Sequence, residues 1–67
     1  MKEFAKRLRE LREDREMKKV ELAEELGLSY HTLTSYEKAH IKPSIDSLIK
    51  IAQFFKVRTD YLLGLED

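Results

Sequence analysis

The chain has 67 residues, 42% of them hydrophobic and 39% charged, with 13 basic residues balancing 13 acidic ones and no cysteine. That length supports one small domain. It contains no disulfide framework or thiolate zinc site, and His31 and His40 alone make a poor metal site. No apolar run approaches the roughly 18 residues of a membrane span, the charged, periodic N-terminus is unlike a signal peptide, and zero net charge spreads no global positive field for nucleic acid.

With two glycines, one proline and no β-branched runs, the composition favours an all-α domain. Disorder is the competing reading for so charged a chain, and the periodic placement of the apolar residues argues against it. Residues 2–15 carry Phe4, Leu8 and Leu11 at i, i+4 and i+7, the stripe of an amphipathic helix. Arg12 lies one turn past Leu8, on the border of that stripe. Met17 opens the next segment, in which Val20, Leu22, Ala23 and Leu26 share a helical face and Gly27 marks the end. Ser29 is the candidate N-cap of a third helix, about Tyr30–Lys38, with Leu33 and Tyr36 inward and small polar residues outward.

Residues 40–43 read as a loop, because Pro43 disfavours helix at Lys42. Ser44 is the expected N-cap of helix 4, whose apolar repeat is Ile45, Leu48, Ile49, Ala52 and Phe55. Thr59 is the expected N-cap of a short last helix, Asp60–Leu63, with Asp60 at its positive end and Gly64 ending it. No strand, internal repeat or long linker is predicted, so residues 1–67 form a single domain.

Residues 19–38 have the pattern of two short helices joined by a tight turn. Ala23 is small where the helices would cross, Gly27 makes the turn, and Leu33 follows six residues later. On spacing alone an ordinary αα-corner remains open.

The order of residues goes further. The run Glu21-Leu22-Ala23-Glu24-Glu25-Leu26-Gly27-Leu28-Ser29 resembles the "ELAEKLGVS" core of lambda-repressor-like (Cro/cI, XRE-type) helix-turn-helix domains. Tyr36-Glu37-Lys38 with Lys42-Pro43-Ser44 resembles their "WE(R/N)G…KPS", and Leu48–Ala52 their "LLKIA". Val57–Gly64 is similar to their closing "VSxDYLLG". The resemblance runs over about residues 4–64. It implies a five-helix domain, with the helix-turn-helix in helices 2 and 3, that binds double-stranded DNA sequence-specifically in the cytoplasm as a transcriptional regulator. The expected form is a repressor that dimerises on a palindromic operator.

In such a domain the N-terminal residues of helix 3 meet base edges in the major groove. The expected base readers are Tyr30, His31, Thr34 and Ser35, whose groups can donate or accept toward bases. Lys18, Lys19, Ser29, Lys38 and Lys42, with His40 when protonated, are the expected phosphate contacts. Glu21, Glu24 and Glu25 would then sit away from DNA. By the same resemblance Arg12 and Glu37 form an ion pair between helix 1 and the end of helix 3. Each of these residues also has an ordinary reading as a solvated surface side chain.

The expected dimer surface is apolar residues the core leaves over: Phe54, Phe55, Tyr61, Leu62 and Leu65. Two departures stand out. Lys18-Lys19 replace the family's Ser/Thr N-cap and the Gln that follows it, and Ala39 stands where Gly is common. No nucleophile–base–acid set, phosphate-cradling glycine loop or metal cluster suggests an enzyme or a cofactor. The rival readings are an antitoxin-type or other protein-interaction module of the same fold, and the DNA-binding arm of a longer repressor.

Overall fold

The computed structural model describes residues 1–66. Five helices follow one another: α1 (Lys2–Asp14), α2 (Lys19–Leu26), α3 (Tyr30–Glu37), α4 (Ile45–Phe55) and α5 (Thr59–Leu62). No strand occurs among the described residues. Helix α3 packs against both α1 and α2, and α4 joins α2 to α5, which returns to α1. The core is built from Phe4 and Leu8 of α1, Leu22, Ala23 and Leu26 of α2, Leu33 and Tyr36 of α3, Ile51, Ala52 and Phe55 of α4, and Leu62 of α5. Phe4 meets Tyr36 edge-on, with ring centroids 5.8 Å apart.

The helix starts follow local chemistry. Ser29 Oγ accepts from the Thr32 N–H at 3.0 Å, and Ser44 Oγ accepts from the Ser47 N–H at 3.1 Å. At α2 the N-cap is Lys18, whose ammonium cannot accept a hydrogen bond. Glu21 supplies half a capping box instead, its Oε1 taking the Lys18 N–H at 2.8 Å. At α5 the expected assignment needs correction. Thr59 is the first helical residue, the N-cap is Arg58, and no side chain caps that end.

All five helices end in the same way. A left-handed residue follows each helix: Glu16, Gly27, Ala39, Lys56 and Gly64 in turn. Paired back-bonds close each end, such as Ala39 N–H to Tyr36 O and His40 N–H to Ser35 O, the pattern of the Schellman motif. Only two of the five positions are glycine. Ala39 therefore makes the turn a glycine would make, at φ 60°.

Three apolar residues assigned to buried faces lie outside. Val20 is 55% exposed, Ile45 75% and Ile49 43%. Apolar residues surround much of α4, and its packing against α2 and α5 buries the side carrying Ser47, Ile51, Ala52 and Phe55. Ile45 and Ile49 are left facing solvent.

Candidate nucleic-acid interface

The helix-turn-helix geometry begins at Ala23, 3% exposed in the crossing of α2 and α3. Gly27, left-handed at φ 68°, reverses the chain within two residues of α3. Leu33 and Tyr36 anchor α3 inward, and Tyr30 and His31 at its start are left exposed. Tyr30 is 48% exposed and His31 is exposed beside it, their rings edge-to-face at 5.9 Å. Ser35 is half-buried one turn later.

One expected contact is corrected. Thr34 is half-buried and its hydroxyl is fully buried without a hydrogen-bond partner, so that hydroxyl cannot serve as a base reader in this rotamer. Ser29 is exposed, but its hydroxyl accepts from the Thr32 N–H and donates to Thr32 Oγ1 at 2.9 Å. Its proton is directed at Thr32 within the protein.

Cations precede and follow α3 in the chain. Lys18 and Lys19 stand at the start of α2, Lys38 is the C-cap of α3, and His40 and Lys42 lie in the loop leading to α4. All are exposed except Lys19, which is half-buried. Glu21, Glu24 and Glu25 are exposed along α2, on the side away from Leu22, Ala23 and Leu26.

A buried ion pair holds α3 to the rest of the domain. Arg12 Nε donates to Glu37 Oε2 at 2.7 Å and Arg12 Nη2 to Glu37 Oε1 at 3.0 Å, a bidentate fork. A third donor, Arg12 Nη1, reaches the Met17 carbonyl at 2.8 Å. One guanidinium thus ties α1, the α1–α2 turn and the end of α3 together. The Glu37 carboxylate raises the Arg12 pKa, chiefly through this hydrogen bond, and desolvation opposes it.

The expected dimer surface is largely absent. Phe55 is 5% exposed and Leu62 fully buried; both close the core, because α5 folds back onto α1 and α4. Phe54 and Tyr61 are half-buried beneath guanidinium groups, Arg15 lying 5.0 Å from the Phe54 ring and Arg7 4.4 Å from the Tyr61 ring. Leu65 alone of the five is well exposed. Ile41 in the loop before α4 and Ile45 and Ile49 on α4 are exposed.

An open groove of about 490 Å³ is lined by Glu25, Leu26, Gly27, Lys50, Gln53 and Phe54, with no residue of α3. No helix of the described residues is long and apolar enough to cross a membrane.

A family model described as helix-turn-helix matches residues 8–62, spanning all of α2 to α5. The chain belongs to the helix-turn-helix family. Family membership places it among binding modules, not enzymes. It is 37% identical over 64 residues to the HTH-type transcriptional regulator ImmR of Bacillus subtilis (strain 168), covering 96% of this chain and 50% of that protein. It is 36% identical over 64 residues to the uncharacterized HTH-type transcriptional regulator YobD of the same organism, covering 96% and 57%. The cryptic phage CTXphi transcriptional repressor RstR of Vibrio cholerae is 32% identical over 54 residues, covering 81% and 49%. The helix-turn-helix chain thus spans about half the length of the curated relatives it matches. No solved structure matches it.

Proposed function

We propose that this domain is the DNA-reading part of a cytoplasmic transcriptional regulator, a repressor that binds a palindromic operator as a dimer. One observation carries the reading: Tyr30 and His31 at the start of α3 are exposed while Leu33, Tyr36 and Glu37 of the same helix are buried, and lysines precede and follow α3 in the chain. Tyr30, His31 and Ser35 are the base readers. Lys18, Lys19, Lys38 and Lys42, with His40 when protonated, hold the phosphates and set the register of α3 in the groove. The buried Arg12–Glu37 fork fixes the tilt of α3, so that side chains at its tip meet base edges repeatably. The relatives' names, transcriptional regulators and a phage repressor, support this assignment.

The test is binding-site selection from random duplexes with purified protein. The expected result is one enriched motif with two-fold symmetry. Recovery of unenriched sequence, with equal affinity for any duplex, overturns the reading.

A further inference from the structure

We infer that the trough between α2 and α4 is a docking site for a basic, apolar segment of a partner protein, bound as a short amphipathic helix. The inference goes beyond the DNA-binding reading and does not rest on it. Two open concavities adjoin there. One is the groove of about 490 Å³ at Glu25, Gly27 and Phe54. The other, of about 310 Å³, is lined by Met17, Val20, Glu21, Glu24, Glu25 and Phe54. They share Glu25 and Phe54, so together they run beside α2 from Met17, before its N-cap, to Gly27, its C-cap. The 8 residues of α2, at roughly 1.5 Å each, make the trough roughly 12 Å long, about two turns of a bound helix.

Charge selects the occupant. Apolar surface comes from Val20, 55% exposed, and from half-buried Met17 and Phe54. Phe55, buried in the core, meets the Phe54 ring edge-to-face at 5.0 Å and steadies it. Glu24 and Glu25 are exposed, and neither carboxylate has a hydrogen-bond or ion-pair partner among the described residues. The lining carries three carboxylates and one ammonium, that of Lys50, a charge of −2; Arg15, 5.0 Å from the Phe54 ring, brings it to −1. Such a trough repels phosphate, which argues against nucleic acid and anionic lipid. An apolar side chain flanked by lysine or arginine suits both kinds of surface. Its hydrocarbon covers Val20 and Phe54, and the cations meet Glu24 and Glu25. On a helix, apolar residues at i and i+4 lie about 6 Å apart, so two of them fit within the trough. No lining residue is among the proposed base readers or phosphate contacts.

The probe is an amphipathic peptide of about 15 residues, long enough to be helical, with leucines at i and i+4 and lysines beside them. A second peptide carries glutamate in place of lysine. Calorimetric titration of the chain, without DNA, is expected to show saturable one-to-one binding of the lysine peptide and none of the glutamate peptide. Glu24→Gln combined with Glu25→Gln should weaken binding about tenfold, and Val20→Ser about threefold. Asp46→Asn removes an exposed charge of α4 outside the trough and should leave binding within about twofold. All four positions are exposed, so the helical circular dichroism should not change. A lysine peptide that fails to bind, that binds the double variant as tightly as wild type, or that loses as much with Asp46→Asn overturns the proposal. Self-association of the chain alone that the double variant abolishes also overturns it, by giving the trough to a second copy. None of these outcomes touches the DNA reading, and a site selection that returns no motif strikes that reading and leaves the trough standing.

Discussion

At the residue scale, Arg12 is the most constrained polar side chain, with donors to Glu37 and Met17 inside the fold. Removing one partner strands a buried charge. Arg12→Met or Glu37→Leu alone should therefore cost about 3–5 kcal/mol, and the double substitution much less than the sum. Urea unfolding of the four proteins checks this, and strict additivity would mean the pair is not coupled. The sign of its pH dependence follows from the raised Arg12 pKa. A raised folded-state value gives stability that is present below the unfolded value and lost as pH rises through the folded one. Both lie above ordinary working pH, so the Arg12 contribution stays constant there. Ala39 offers the opposite case. Its left-handed φ of 60° suits glycine, so Ala39→Gly should stabilise by about 0.5–1 kcal/mol. A lower urea midpoint would count against the strain.

At the element scale, the two turn glycines differ in what surrounds them. A Cβ on Gly64 would sit 2.8 Å from Glu3 Cβ, against the first turn of α1, whereas one on Gly27 would meet nothing closer than Lys50 Nζ at 3.9 Å. Both carry the left-handed strain. Only Gly64→Ala also pushes α5 from α1, so it should cost about 1–3 kcal/mol more than Gly27→Ala. Equal thermal shifts would show that the end of α5 yields freely. Ala23 tests the other crossing. Ala23→Leu inserts three carbons where α2 meets α3 and should cost about 1–3 kcal/mol. An unchanged melting temperature would contradict a tight crossing.

At the scale of the whole molecule, the proposed DNA binding has to work at zero net charge, with Lys18, Lys19, Lys38 and Lys42 before and after α3 in the chain and Glu21, Glu24 and Glu25 exposed on α2. Four lysines on phosphates predict a slope of log affinity against log salt of about −3.6 per domain. Lys19→Ala or Lys42→Ala should reduce that slope by about 0.9 and weaken all sequences alike. His31→Ala or Ser35→Ala should leave the slope and change the preferred bases, at about 1–3 kcal/mol each. Titrations at several salt concentrations, paired with repeat selections, separate the two behaviours. A changed slope for His31→Ala would move it to the anchors.

The amino-acid sequence determined what is local. Ser29 and Ser44 cap their helices because each hydroxyl needs only an N–H three residues on, and Gly27 turns the chain because its own φ allows it. The Ala23–Gly27–Leu33 spacing made the α2–α3 unit legible for the same reason. Tertiary packing decided which side of each element is covered. Helix α4 is apolar on too many sides for periodicity to choose among them, and its contacts with α2 and α5 buried Phe55 and left Ile45 and Ile49 outside. It also engaged the Ile51 side of α4, returned Leu62 to the core and shielded Tyr61 under Arg7. Caps and turns depend on a few consecutive residues, whereas burial depends on segments that meet only once the chain has closed on itself.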